Sequence, residues 1–544
     1  MGAYVNPSNI SFRKALRMPL YVDKSEMICD LNNYFDTENQ YLCVSRARRF
    51  GKTMMANLIS AYYSKGCDSR SLFEGLKLAQ HPNWDRYLNS ACVIKIDVNG
   101  WFRSTQDKNL TVKAIQSAVI SELRTEFPSV QLPEDVGLAN ALVTINVALD
   151  ETFVIIIDEY DVLFRENVSD SLRTEYLDLL NSLFKNDSLK PVISLAYITG
   201  ILPIIRDRVQ SKLNNFLEFT MLEPFELAPY FGFTEDEVRE LCDKTGRDFE
   251  QCQHMYDGYS FPKVSHVFNP NSVANAMRTG VYKSYWTATS SYEAITYYID
   301  ENIDGIQTDI CTLLGGGEVS VNTELYLNNV ELFNSKDQLF TYLIHLGYLT
   351  IKKELTNSYC CIPNGEVHRE WFNALEMAKG FKSIKDLLAP TRAVLEATEH
   401  LDAPRVAAAL DAFHAQYSSS LTFNRESSLQ SAILMAYFYA RKDFMVFAEL
   451  PAGLGFADVA LIPLRPGRAA IIIELKCDAE GLSSTLTSPQ SAIEQIKSRN
   501  YAQALARHPG KDMGVILVGI TYNAKTKKHQ CLIEHLKDCS EICH

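Results

Sequence analysis

The sequence has no surplus of positive charge. Against 53 Lys and Arg stand 66 Asp and Glu, a formal net charge of −13 over 544 residues. A surface that is basic all over is therefore excluded, and any nucleic-acid site must be a local basic patch on an acidic body. Long hydrophobic runs are missing too: no segment approaches the roughly 18 uninterrupted apolar residues of a membrane span. The start, Met1-Gly2-Ala3-Tyr4-Val5-Asn6, has neither a basic stretch leading into an apolar core nor the Ser or Thr at the sixth position that myristoylation needs. The expectation is a cytoplasmic protein with no membrane partner. The 13 cysteines include no C-x-x-C pair, and an odd, scattered set fits reduced thiols. Only Cys531, His535, Cys539 and Cys543 recur at every fourth residue. On a helix they would form a stripe able to meet a metal, but small cysteines on the packed face of a terminal helix have the same spacing, and packing is the preferred reading.

What is present is an ordinary globular composition, 47% hydrophobic and 22% charged, at a length that suggests about two to four domains. The most informative stretch is Arg48-Arg49-Phe50-Gly51-Lys52-Thr53, between the apolar run Tyr41-Leu42-Cys43-Val44 and a segment, Met54 to Tyr63, that reads as helix. Strand, tight Gly turn, Lys, hydroxyl residue and helix is a layout that holds a nucleoside triphosphate. Backbone N–H groups face the phosphates, Lys52 neutralises them and Thr53 can ligate Mg²⁺. The full G-x-x-x-x-G-K-[ST] pattern would need Gly at position 46, where this chain has Arg46. A second stretch, Phe153 to Ile157, is an apolar run ending in Asp158-Glu159, as a buried parallel strand ends when it delivers carboxylates to its C-terminal edge. Asp158 can hold Mg²⁺ through water, and Glu159 can orient or deprotonate an attacking water.

These residues, with Tyr21-Val22-Asp23-Lys24, Asp158-Glu159-Tyr160-Asp161, Ile198-Thr199-Gly200-Ile201, Tyr230-Phe231-Gly232-Phe233-Thr234, Tyr256-Asp257-Gly258-Tyr259 and Ile362-Pro363-Asn364-Gly365-Glu366-Val367, resemble the AAA-ATPase-like family that is usually fused to a C-terminal PD-(D/E)XK nuclease-like domain. The resemblance covers nearly the whole chain and implies ATP as ligand, with Arg48, Arg49, Gly51, Lys52, Thr53, Asp158 and Thr199 around it. It also implies that the first glycine of the phosphate loop is commonly replaced. Thr199 would be a polar sensor of the γ-phosphate, although a Thr satisfying backbone at a strand end fits equally well. Arg206 and Arg208 could sense phosphate charge across a subunit interface, a solvated basic helix start being the preferred reading, and the resemblance leaves room for a homo-oligomer.

Strands at 91–98 and 192–198 alternate with helical windows such as 109–125, which predicts a doubly wound, mostly parallel α/β sheet. A capping box at Thr234 and Glu237 starts a helical lid dense in Tyr256, Tyr259, Phe261, Phe268, Tyr282, Tyr285 and Trp286. Packed aromatics are the expected use of these rings, ahead of base stacking. A helix over 331–346 and a hairpin over 347–362 permit a winged-helix-like reading, followed by an Ala-rich helical connector. The expected organisation is residues 1–290 as P-loop NTPase-type domain with lid, 291–423 as connector and 424–544 as an α/β domain of restriction-endonuclease-like PD-(D/E)XK type.

In that last segment a helix over 428–441 precedes a strand at 444–450, then Ala457-Asp458-Val459-Ala460 and Ala469 to Ile473 running into Glu474-Leu475-Lys476. Strand alternation puts Glu474 and Lys476 on one side and Leu475 in the core. Asp458 from the preceding strand can meet Glu474, and two carboxylates with the Leu475 carbonyl suit Mg²⁺ or Mn²⁺. Lys476 can position or help deprotonate water. This is the D…E-x-K pattern of the PD-(D/E)XK fold. The resemblance adds Glu426 as a further acid at the metal, and Gln495 and Tyr501 on a helix over 491–505, where Lys497, Arg499 and Arg507 could meet phosphates. The expected function is an ATP-regulated, metal-dependent nuclease acting on nucleic acid, with DNA ahead of RNA. The alternative is a nucleotide-dependent switch with a non-cleaving nuclease-like domain.

Overall fold

Five apolar runs build one parallel sheet: β1 (Tyr41–Ser45), β2 (Cys92–Asp97), β3 (Phe153–Asp158), β4 (Ile193–Gly200) and β5 (Leu217–Phe219). Their order is β2-β3-β4-β1-β5, with every neighbouring pair parallel. The computed structural model describes residues 2–204, 213–286, 301–326, 333–353, 357–377, 382–417, 426–452, 455–464, 467–478, 488–499 and 514–537. Two compact units divide the chain, Met1–Tyr282 with Val321–Lys353 and Lys283–Ser320 with Glu354–His544.

The parallel sheet is covered on both faces, and the reason is in its strands. Along β3, Phe153, Ile155 and Ile157 enter one apolar cluster while Val154 and Ile156 enter the other. Helices Thr111–Glu126, Leu138–Leu149 and Asp170–Phe184 pack the first face, and helix Lys52–Tyr63 the second. Each fully buried Ile, Leu or Phe contributes about 1.5–3 kcal/mol, so a strand apolar on both faces is held firmly enough to present polar groups at its end. The order also sets β4 between β1 and β3, so that Thr199 lies level with Val44 on one side and Asp158 on the other.

Beyond β5, the short strands β6 (Phe233–Thr234), β7 (Tyr259–Phe261) and β8 (Val264–Phe268) form an antiparallel sheet ordered β6-β8-β7. Helix Glu235–Thr245 opens with the expected capping box. The same Glu237 Oε2 accepts from Thr234 N at 2.8 Å and from the buried Lys24 Nζ at 2.7 Å, which ties the Tyr21–Lys24 motif to this helix, in the region expected to form the lid. Tyr256, Tyr259, Phe261, Phe268 and Trp286 are buried, so those rings serve packing. The helix expected from residue 331 begins at Lys336, where the Ser335 side chain accepts from Gln338 N.

In the second unit β9 (Val319–Ser320) pairs antiparallel with β11 (Ser358–Cys361), while β10 (Thr350–Lys353) belongs to the first. Helices Gly365–Met377, Lys382–Glu399 and Ala403–Tyr417 follow in the second unit. A mixed sheet follows: β12 (Phe444–Ala452), β13 (Gly455–Pro463), β14 (Ala470–Asp478), β15 (Val515–Asn523) and β16 (Lys528–Leu536), in that order. Only β14 and β15 run parallel. Helix Pro489–Ser498 packs on this sheet through Ala492, Ile493 and Ile496.

One sequence expectation is corrected here. Cys531 and His535 lie on β16, antiparallel to β15, and not on a terminal helix. A spacing of four returns to the same side of a strand as well as of a helix, so it could not separate the two. Cys539 and Cys543 lie outside the described residues, and among those described no group of three or more His, Cys, Asp or Glu side chains is placed to hold a metal.

The close approach at the end of β4 yields a stability prediction. A Cβ on Gly200 would come within 2.5 Å of Asp161 Oδ1 and 2.9 Å of the Tyr160 ring. Asp161 cannot retreat easily, because its Oδ2 accepts from Ile201 N and Leu202 N. Gly200→Ala should cost about 1–3 kcal/mol in denaturant unfolding. Gly75→Ala, where the added carbon meets nothing within 4 Å, should stay within about 0.5 kcal/mol of the parent.

Candidate functional site

The phosphate loop runs from β1 into helix Lys52–Tyr63 with Gly51 as N-cap at φ 90°. No side chain crowds the missing Cβ, so glycine is needed for its left-handed backbone and not for space. Arg49 shares that backbone region at φ 67°; it is exposed, Arg48 half-buried and Thr53 exposed at the first turn of the helix. Lys52 is buried, and its Nζ donates to Arg46 O at 2.9 Å and Ala47 O at 3.0 Å. Burial pulls this ammonium down to about 8, against the pull of Glu159, Asp161 and Asp158.

Asp158 closes β3 in a buried position. Burial pushes its carboxyl up, and a hydrogen bond from Thr53 and the charge of Lys52 pull it back. Its Oδ1 is buried with no hydrogen-bond partner among the described residues. Such an oxygen costs free energy unless a cation or ordered water meets it, so Thr53 and Asp158 form a donor set that fits a hydrated Mg²⁺. Thr199 Oγ1 donates to Val44 O at 2.8 Å, the backbone-satisfying role at a strand end. Glu159 adopts φ 54°, and its Oε2 accepts from Arg165 Nη2 at 3.1 Å. Arg165 Nε also donates to Asp161 Oδ2 at 2.7 Å.

The second unit builds its site from β13, β14 and one helix. The register pairs Val459 with Ile473, which brings the preceding Asp458 level with Glu474. Asp458 Oδ2 accepts from Leu475 N at 2.7 Å, and Gln430 Nε2 from helix Glu426–Ala436 donates to Asp458 O at 2.8 Å. Leu475 is fully buried, while Lys476 Nζ reaches Glu474 Oε1 at 3.5 Å on the other side of the strand. Gln495 Nε2 donates to the same oxygen. The remaining oxygen, Glu474 Oε2, is buried without a hydrogen-bond partner among the described residues. Burial first, then the neighbouring Asp458, pushes the Glu474 carboxyl up to about 7, with Lys476 and Arg499 pulling it down. Two carboxylates that disfavour each other's charge, one with an unmet oxygen, fit a divalent cation by the same reasoning.

The structure thus brings together Lys52, Thr53, Asp158 and Glu159 in one site and Asp458, Glu474, Lys476 and Gln495 in another. Glu426 opens the helix that carries Gln430, but its side chain lies outside the described residues, as do Arg206, Arg208, Tyr501 and Arg507. Lys497 pairs with Glu534 at 2.5 Å. Sequence reasoning missed Arg165, although its spacing of four from Asp161 was a readable ion-pair signal. It also missed Gln430.

A family model described as a predicted AAA-ATPase matches residues 11–210, and one described as the PD-(D/E)XK nuclease superfamily matches residues 425–531. No curated protein matches the chain. Among solved structures, the Aeropyrum pernix ORC2 protein in ADPNP and ADP complexes is 12% identical, with 65% of this chain and 92% of that one covered at a TM-score of 0.29. The Aeropyrum pernix ORC1 protein in complex with DNA is 12% identical, with 69% and 98% covered at a TM-score of 0.26. At that level of superposition the likeness carries no functional weight. Among the described residues no helix is long and apolar enough to cross a membrane.

The raised Glu474 carboxyl makes a pH prediction. Its folded value of about 7 stands above the ordinary 4.5, so between those values the folded chain binds more protons than the unfolded one. The stabilisation from protonated Glu474 is complete below about pH 4.5 and lost as pH rises through about 7. In chelator, going from pH 5 to pH 8 should therefore cost the parent about 1–3 kcal/mol more than Glu474→Gln, read by denaturant unfolding. Parallel pH profiles would contradict the assignment.

Proposed function

We propose that this chain, in which residues 11–210 match a predicted AAA-ATPase model and residues 425–531 the PD-(D/E)XK nuclease superfamily model, binds and hydrolyses ATP in the first unit and hydrolyses phosphodiester bonds of nucleic acid in the second, with nucleotide regulating cleavage. The observation that carries the cleavage reading is the Asp458–Glu474 pair with an unmet oxygen on Glu474 and the Lys476 ammonium beside it.

In the first unit the Gly51 turn and the helix N-terminus offer backbone N–H groups to the phosphates. Lys52 exchanges its two loop carbonyls for phosphate oxygens. Thr53 and Asp158 would hold Mg²⁺, and Glu159 orients the attacking water once its carboxylate leaves Arg165. In the second unit Asp458 and Glu474 would hold Mg²⁺ or Mn²⁺, which when bound supplies Lewis-acid stabilisation of the scissile phosphate. Gln495 fixes the orientation of Glu474. Lys476 positions the nucleophilic water and balances charge developing on phosphate oxygens. Water gives up a proton to solvent as it adds to phosphorus, the bond to the leaving sugar oxygen breaks, and that oxygen takes a proton from solvent.

DNA is the proposed substrate ahead of RNA, and a homo-oligomer and a cytoplasmic setting complete the reading. The free thiols among the described residues support a reducing compartment. The alternative, nucleotide-dependent binding without cleavage, draws support from the net charge of −13 and from Lys497, whose ion pair with Glu534 occupies one candidate phosphate contact.

Cleavage of DNA and RNA substrates with Mg²⁺ or Mn²⁺, with and without ATP, tests the proposal. Asp458→Ala and Lys476→Ala should each lower the cleavage rate at least about 100-fold. Lys52→Ala should abolish the effect of ATP while leaving the second site's metal dependence intact. Equal activity in parent and both second-site variants would exclude this site.

A further inference from the structure

The residue standing where a full phosphate-loop pattern has glycine is a buried charge. Arg46 is 0% exposed. Its Nη1 donates to Ser45 O at 2.8 Å, Phe219 O at 2.7 Å and Thr220 O at 2.9 Å. The guanidinium carbon lies 5.1 Å from the centre of the Phe231 ring and 5.7 Å from that of Phe261. Nε and Nη2 are buried with no hydrogen-bond partner among the described residues. Burial lowers the group to about 9, which leaves it charged at neutral pH. A cation held this way, by carbonyls and ring faces with no carboxylate of the described residues against it, is costly to keep.

The contacts of Arg46 fall on both sides of a join. Its side chain meets the end of β1, the last residue of β5 and the residue after it, and two phenylalanines of the lid, while its own carbonyl accepts from Lys52 Nζ. The rest of the loop is fastened to the lid as well. Gly232 N donates to Phe50 O at 3.4 Å, the Phe50 and Tyr259 rings meet edge to face at 5.0 Å, and Asn269 Nδ2 reaches Arg48 O at 3.5 Å.

We propose that Arg46 is a positioning residue, which shapes the phosphate loop in place of the missing glycine and transmits to the lid whether a triphosphate is bound. The inference rests on the nucleotide reading above. When Lys52 turns to a phosphate, the carbonyls of Arg46 and Ala47 lose their partner and the backbone at Arg46 is free to shift. The guanidinium, fixed to that backbone and packed on Phe231 and Phe261, carries the shift into β7 and the residues before β6. A glycine at this position would satisfy the motif and sever the link.

The test measures binding of a fluorescent ATP analogue to the full chain, together with amide hydrogen exchange over residues 259–268. In the parent, the analogue should slow exchange there. Arg46→Gly should bind the analogue at least about tenfold more weakly, although it completes the consensus pattern, and at saturation should show no slowing in the lid. Arg46→Lys keeps charge and donors but not the planar face, so it should keep binding within about threefold and lose most of the lid response. Phe261→Leu leaves the loop whole, and should bind as the parent does with a diminished response; it decides the matter should Arg46→Gly fail to fold. Binding by Arg46→Gly as tight as the parent's, or an undiminished lid response in Phe261→Leu, would overturn the inference. Equal binding by the parent and Lys52→Ala would instead remove the nucleotide reading, and this inference with it.

Discussion

A carboxylate oxygen buried without a hydrogen-bond partner among the described residues is costly, and each of the two candidate sites holds one. At the phosphate loop it is Asp158 Oδ1, and beside Lys476 it is Glu474 Oε2. Each belongs to a strand whose preceding residues are fully buried, so packing places the acid where water cannot fully solvate it. An isolated charge in such a place raises its own pKa or finds a cation. Both carboxyls are pushed up, and each has a basic side chain close by, Lys52 in one unit and Lys476 in the other. The cost of these oxygens is the physical reason for reading both sites as cation sites.

The two units reach this arrangement by different routes. In the parallel sheet, β4 lies between the loop strand and the acid strand, so Lys52 and Asp158 approach through a turn and a helix N-terminus. In the mixed sheet, Asp458 and Glu474 come from antiparallel neighbours, and period-two alternation alone puts Lys476 beside Glu474. Arg46 shows a third way of handling a buried charge, with carbonyl oxygens and aromatic faces as its partners among the described residues.

Much of this was legible because short-range rules carried it. An apolar run that ends in Asp158-Glu159, a Gly-Lys-Thr turn after a strand, a Thr-x-x-Glu box and an E-x-K alternation each fix local geometry by themselves. What escaped depended on partners distant in sequence or on ambiguous spacing. Nothing near Arg46 announces Phe219, Thr220, Phe231 and Phe261. Gln430 meets Asp458 only because a helix packs beside β13. The step of four between Cys531 and His535 served strand and helix alike. For Thr199 the sequence left a phosphate sensor and a backbone-satisfying hydroxyl equally open, and its bond to Val44 O names the backbone partner, which depends on the strand order.

The most direct measurement is a count of bound Mn²⁺ by electron paramagnetic resonance on the full chain, with and without a non-hydrolysable ATP analogue. The account predicts one ion without nucleotide, lost in Glu474→Gln, and a second that appears with the analogue and is lost in Asp158→Asn. No bound ion in either condition, or a count that Glu474→Gln leaves unchanged, would contradict it.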